Sequence, residues 1–378
     1  MQIEEIKIYE SIDYLNLSNA DGNETSYSGY QDLYSLRESM FETLARVQKY
    51  FIPSLCVLGF LGNVSSFGIF MIKSMKQKSC VNYLLFKSVT DAFFLTSLFV
   101  VWLDRVGVKW FNYHGVCQIL VLVTYVSAFM SVWMVVMVTF ENYVCICHPQ
   151  LVTKFCTARR AQLVILLLLV LSTLCYHFPV WTSHVVLISN VSVCTEVGEY
   201  SQITEGLTYF DTALTLVLPS VLVFLFMFRI MQTIVQTFIK IRRRRSLGQH
   251  RNIHFFCQTP YGPISIMLLA VSIVFLLIHT PSHVCRLYAI FIRFFSDDLQ
   301  AFLYSLDLQR RSEMLYYLNY AVNFFVFFVF SKAFRLICQR YQCFCVCGRQ
   351  VSSAPFDSQF EECVCKTTSQ EQQQEELI

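Results

Sequence analysis

The sequence predicts an all-α membrane protein, a bundle of seven transmembrane helices. Three observations carry this. The chain of 378 residues is 55% hydrophobic and 15% charged, against about 45–50% apolar and about 25% charged in soluble domains, and its mean hydropathy is positive. Seven segments are apolar over most of the roughly 20 residues that a helix needs to cross a bilayer. Basic residues cluster after every second segment, the pattern that membrane insertion leaves on a multi-pass chain.

The seven spans run over Tyr50–Met71, Tyr83–Trp102, Cys117–Val138, Gln162–Val180, Leu207–Met227, Ile264–Ala289 and Met314–Phe330. They are rich in Leu, Phe and Val and mostly too long for buried strands, and an outer-membrane barrel would show alternating segments of about ten residues instead. Met1-Gln2-Ile3-Glu4-Glu5 has neither a basic start nor an apolar core, so no cleavable signal peptide is expected and span one can serve as the insertion signal. Lys73, Lys76 and Lys78 follow span one, Lys154, Arg159 and Arg160 span three, Arg242–Arg245 span five, and Lys332, Arg335 and Arg340 span seven. The positive-inside rule places these in the cytoplasm and the N-terminus outside. Residues 1–48 hold nine acids against three bases, a net of −6, in keeping with that side.

Glycosylation sequons at Asn16, Asn23 and Asn190 fall outside on this topology, whereas Asn63-Val64-Ser65 lies within span one and is expected to stay unmodified. The 16 cysteines divide by compartment. Cys117 and Cys194 share the oxidising side, where they read either as a bridge pinning the loop after span four or as two free thiols. On the opposite side Cys338, Cys343, Cys345 and Cys347 lie beside basic residues. S-acylation fits them better than a metal site, since no histidine or second Cys-x-x-Cys pair is near; unmodified thiols are the remaining reading.

Polar groups within the spans are costly and so point to function. Asn63 is one such group, in span one; Asp91 in span two, with Ser131, Asn319 and Asn323, forms an oxygen-rich set. It reads equally as a site for a small cation such as sodium and as an uncharged hydrogen-bond network. Pro179, Pro219 and Pro281 fall in or near spans four, five and six, where each kinks its helix or, at Pro281 beneath Phe275 and His279, provides a hinge.

These residues together resemble the rhodopsin-like (class A) G-protein-coupled receptors over roughly residues 48–340. Gly62-Asn63 and Asp91 resemble that family's marks in spans one and two. Cys117 and Cys194 resemble its bridge, and Pro219 and Phe275…Pro281 its spans five and six. Asn323-Phe324-Phe325-Val326-Phe327 stands in place of Asn-Pro-x-x-Tyr, and Phe334-Arg335 resembles the start of a short cytoplasmic eighth helix. Ser131-Val132-Trp133, Cys147-His148-Pro149 and Thr280-Pro281-Ser282-His283 are similar to invertebrate FMRFamide-type neuropeptide receptors and their orphan relatives. Span seven has no lysine to hold retinal, and Thr124 stands where amine receptors carry an aspartate.

The resemblance implies four parts: an extracellular glycosylated tail (1–48), the seven-helix domain (49–331), an amphipathic helix with a cysteine-rich juxtamembrane segment (332–347) and a disordered cytoplasmic tail (348–378). It implies a multi-pass plasma-membrane receptor, no enzymatic activity and no nucleic-acid partner. The ligand is a peptide held by Thr124, Tyr125, Tyr209, His279, His283, Arg286, Tyr316 and Tyr317, beneath an outer rim of Asp104, Glu196, Glu199, Asp297, Asp298, Asp307 and Glu313 that attracts cationic peptides or is simply solvated. The switch residues are Glu141, Asn142, Tyr143, Phe275, Pro281 and Phe327, acting on a heterotrimeric G protein. Arrestin-like proteins, reached through a phosphorylated tail, and anionic lipids at the basic run are the other partners.

The departures are as informative. Asn142 replaces the arginine that in the family contacts the G protein and locks the resting state, and Phe327 replaces a tyrosine that helps hold the active state. His279 replaces the tryptophan beneath the ligand pocket. A receptor that captures ligand without activating a G protein is therefore the alternative. A transporter or channel would carry inverted repeats, which the sequence does not show.

Overall fold

An apolar segment in lipid must satisfy its backbone polar groups internally, and each segment here does so as a helix. The computed structural model describes residues 24–72, 78–188, 191–196, 198–246, 262–295, 299–332 and 334–338. Helices α1 (Glu24–Phe70), α2 (Ser79–Arg105), α3 (Val116–Cys147) and α4 (Ala158–Cys175) are followed by an antiparallel hairpin, β1 (Ser183–Ile188) and β2 (Val191–Glu196). Helix α5 joins Ser201–Asp211, a π-helical stretch Thr212–Val217 and Leu218–Ser246. Helix α6 spans Gly262–Phe295. Helix α7 consists of Leu299–Ala321 and Asn323–Phe330, bent by 51°. Among the described residues six helices are each long and apolar enough to cross a membrane, and the bent α7, taken as one span, makes a seventh.

Helix α3 forms the axis of the bundle. Its buried face, including Phe129, Met130, Val132, Met134 and Val135, packs with Phe275 of α6, Phe327 of α7 and Tyr176 after α4. The outer face of α4 exposes Leu163, Leu166, Leu167, Val170, Leu171 and Leu174. In water such a stripe would be an aggregation patch; beside acyl chains it is a lipid-facing surface.

Two glycines set how closely α1 approaches its neighbours. A Cβ at Gly59 would lie 2.6 Å from Leu95 and 2.7 Å from Ala321, and one at Gly62 would lie 3.0 Å from Phe324. The bend in α7 then needs no proline. On the turn before it, the Asn319 carbonyl accepts from Asn323 Nδ2 at 3.0 Å and the Tyr320 carbonyl from Asn63 Nδ2 at 2.8 Å. Side-chain amides thus serve carbonyls beside the break, as lipid requires. In α5 the π-helical stretch ends just before Leu218-Pro219, where the proline nitrogen lacks a hydrogen to donate.

The helices run past the expected spans, most of all at α7, α1 and the inner end of α5, which continues to Ser246 beyond Met227. Helix α7 begins at Leu299, not near Met314, because Asp307 and Arg311 pair along one face of an extra stretch of helix. Helix α1 begins at Glu24, well before Tyr50. Hydropathy marks where lipid starts, but a helix can continue into water. The eighth helix expected over 332–347 extends beyond the described residues.

The Gly59 packing predicts that Gly59→Val lowers the melting temperature of the detergent-solubilised protein, at an overpacking cost of about 1–3 kcal/mol. Gly68→Val, with nothing within 4 Å, leaves it unchanged. Equal shifts in a thermal melt would refute the close α1–α7 contact.

Candidate functional site

At the centre of the bundle Asp91 is not alone with hydroxyls and amides. Lys87, one helical turn earlier on α2, places its ammonium 3.2 and 3.1 Å from the two carboxylate oxygens and 2.7 Å from Ser131 Oγ of α3. The Ser131 hydroxyl donates to Asp91, and Asn323 Nδ2 of α7 donates to it at 2.7 Å. Both charged side chains are buried, 1% and 0% exposed. Of the four sequence-predicted members, Asp91, Ser131 and Asn323 therefore meet, whereas Asn319 contributes only its backbone carbonyl, to Asn323. Its amide lies next to His279 without a hydrogen bond of normal geometry.

At one end of the bundle Cys117 heads α3 and is bridged to Cys194 of β2. A polar clamp reinforces the bridge. Asn112 accepts from the Cys194 backbone N–H at 2.9 Å and donates to Asp104 at 2.7 Å, and Lys109 pairs with Asp104 at 2.9 Å. Asp104 and Asp307 are thus not solvated rim acids that draw in a cation. Each is buried and ion-paired, Asp307 with Arg311 at 2.7 Å. Glu199 is exposed, and Asp297 and Asp298 lie outside the described residues.

Within the bundle a chamber of mostly buried polar side chains is built from α5, α6, α7 and the turn after α4. His279 stacks on Phe275 at 4.1 Å and lies 5.1 Å from His283 and 5.4 Å from Tyr316, ring to ring. All four imidazole nitrogens of His279 and His283 are buried without a hydrogen-bond partner. Asp211 of α5 accepts from the Tyr176 hydroxyl at 2.8 Å and from Thr215 at 3.3 Å, and Arg286 lies within electrostatic reach of Asp211, His283 and Tyr316. The Tyr320 hydroxyl donates to that of Tyr316.

The predicted ligand set is only partly gathered there. His279, His283, Arg286 and Tyr316 come together. Tyr317 turns to Phe94 of α2, Tyr125 stacks on Tyr176, Tyr209 lies against Phe294, and the Thr124 hydroxyl donates to the Leu120 carbonyl.

At the other end of α3, Glu141 accepts a hydrogen bond from Ser79 at the start of α2, and Asn142 is fully buried. The Tyr143 hydroxyl is 2.9 Å from His148 Nε2, and its ring stacks on Phe226. Two residues before Glu141, the Thr139 hydroxyl lies 2.7 Å from Ser272 of α6. Phe327 meets Phe70 at 5.1 Å and Phe334 at 5.7 Å, an apolar contact in which a tyrosine hydroxyl would have little to bind. Pro281 sits within a continuous α6.

A family model described as 7 transmembrane receptor (rhodopsin family) matches residues 43–334. The chain belongs to that family. It is accordingly a multi-pass membrane receptor, of a family of receptors for extracellular ligands that act on G proteins, not a family of enzymes.

The receptor's sequence held further signals than those first singled out. Lys87 and Asp91 are spaced i, i+4 within an apolar run, and Asp211 is a carboxylate in span five; both are visible from sequence by the cost of charge in lipid. Ser79, Tyr176 and Ser272 gave no such signal, since hydroxyls are common in membrane helices. Asn16, Asn23, Asn190, Cys343, Cys345 and Cys347 lie outside the described residues. Cys338 is half-buried, and that burial raises its thiol pKa, which disfavours the reactive thiolate.

Two outcomes follow for the receptor. Tyr176→Phe strips a donor from a buried carboxylate and is expected to cost about 1.5–3 kcal/mol, read as a lower melting temperature that vanishes in an Asp211→Leu background, which has no acceptor. An undiminished effect in that background would refute the coupling. Cys194→Ser opens the bridge and is expected to reduce stability by about 2–5 kcal/mol, checked by the temperature at which solubilised receptor aggregates.

Proposed function

We propose that the receptor lies in the plasma membrane with its disulfide end outside, binds a neuropeptide-like ligand in the polar chamber within the bundle, and passes that binding to a cytoplasmic heterotrimeric G protein through α6. The observation that carries this reading is the pair of buried imidazoles, His279 and His283, whose four nitrogens have no protein partner. Buried polar groups are ordinarily paired, so the chamber is built for something that supplies donors and acceptors. Asp211 and Arg286 add a carboxylate and a guanidinium, which suits a ligand carrying both charges and amide groups, as a peptide does. The orientation is supported by Lys154, Arg159, Arg160, Arg242 and Arg243 at the Glu141 end.

Activation is then a shift between two packings of α6. The ligand meets His279, which stacks on Phe275 one turn from Ser272. Displacing that stack breaks the Thr139–Ser272 contact and swings the inner half of α6 away from α3. The Ser282 hydroxyl, 2.7 Å from the Ser312 carbonyl of α7, keeps the outer half in place.

A second reading is supported by the Glu141 end. Glu141 is occupied by the Ser79 hydroxyl, and buried Asn142 offers no cation to a partner. The receptor would then capture ligand without driving a G protein. Both readings are tested with wild type and Asn142→Arg, matched for surface expression and challenged with a neuropeptide library while G-protein activation and ligand binding are recorded. A response from wild type establishes signalling. Binding by both with a response only from Asn142→Arg favours capture without coupling. Neither binding nor response in either form would discard the peptide assignment. A bound peptide is expected to lose at least tenfold in affinity in His283→Ala, the cost of about one hydrogen bond to a charged group.

A further inference from the structure

A sodium ion is one of the two readings of the Asp91 set, and the residues there do not fit one. An ionised carboxylate has about four lone-pair sites. At Asp91 one oxygen takes the Lys87 ammonium at 3.2 Å and the Ser131 hydroxyl, and the other takes Lys87 at 3.1 Å and Asn323 Nδ2 at 2.7 Å. All four are used. Ser131 spends its single proton on Asp91 and accepts from Lys87 at 2.7 Å, and Asn323 divides its two amide protons between Asp91 and the Asn319 carbonyl. The charge count leads to the same result. Lys87 and Asp91 cancel, and a sodium ion added beside them would leave a net positive charge fully buried in the bundle, which is expensive.

We infer that Lys87 is the resident cation of this receptor: its ammonium, tethered one turn from Asp91, takes the place of a diffusible sodium ion and makes the transmembrane core indifferent to external sodium. The reach is set by the i, i+4 spacing on α2, and the Tyr320 ring, 6.0 Å from Nζ, closes the side towards α7. A mobile ion can leave when the bundle changes packing; a tethered one stays. Any rearrangement among α2, α3 and α7 therefore has to keep Lys87 paired or move it together with Asp91. The inference rests on the polar centre alone and holds whatever ligand the chamber takes.

The test uses full-length receptor in detergent, with melting temperature followed as sodium chloride replaces choline chloride at constant ionic strength. Wild type is expected to melt at the same temperature throughout and to leave the sodium NMR line unbroadened. Lys87→Met, which keeps the length of the chain and removes the charge, is expected to gain a saturable rise of roughly 2–4 °C in sodium. Lys87→Met/Asp91→Asn is expected to lose that rise. A saturable, sodium-specific stabilisation of wild type overturns the inference, and that arm needs no variant to fold. A folded Lys87→Met that ignores sodium overturns it as well. Should Lys87→Met not fold, Lys87→Gln serves as the second neutral variant and is read in the same way.

Discussion

The constraint on which the rest of this structure depends is the neutralisation of one buried carboxylate. Asp91 lies in the middle of a hydrocarbon-spanning helix, where an unpaired charge would be costly. Lys87 on the same helix, Ser131 on α3 and Asn323 on α7 meet that cost together. Three helices are thereby fixed in register at one point. Asn323 also serves a carbonyl at the bend of α7, and Asn63 brings α1 to the next one. The break in α7 and the seating of α1 in the Gly59 and Gly62 notches thus adjoin the site where the charge is balanced.

Away from that centre the two ends of the bundle treat polarity differently. At the disulfide end Asp104 is held by Asn112 and Lys109, and Asn112 also takes the Cys194 N–H. With the disulfide, this frame fixes the hairpin to the outer end of α3. Within the bundle, the imidazoles of His279 and His283 have burial without partners. Unpartnered polar groups held within a braced frame are the arrangement expected of a pre-formed site, since the frame holds the shape and the ligand completes the hydrogen bonds.

The departures from the family pattern are coherent when seen as packing. Phe324 fills the notch at Gly62, and Phe327 joins Phe70 and Phe334 in an aromatic cluster at the inner end of α7. Side-chain amides at the bend do the work that a proline and ordered polar groups would otherwise share. At the end of α3, a hydroxyl contact, Thr139 to Ser272, joins α3 and α6, while Glu141 turns to Ser79. The inner half of the bundle is held by aromatic contacts and neutral hydrogen bonds.

By itself, the sequence determined the number of spans and the family to which they belong, and through that resemblance it offered Cys117 and Cys194 as a bridge. These follow from the length of apolar runs and the order of marked residues, which are local or one-dimensional properties. It also held Lys87 beside Asp91, since a pair four residues apart on a helix must share a face. Tertiary structure alone decided the rest. That Asn319 turns from Asp91 towards His279, that Tyr317 packs on Phe94, and that Asp104 is a buried clamp all depend on the rotation of one helix against another. Hydropathy fixes how far a helix runs through lipid and says nothing of the angle at which it turns to its neighbours; that angle is set by packing and by which buried polar groups can meet.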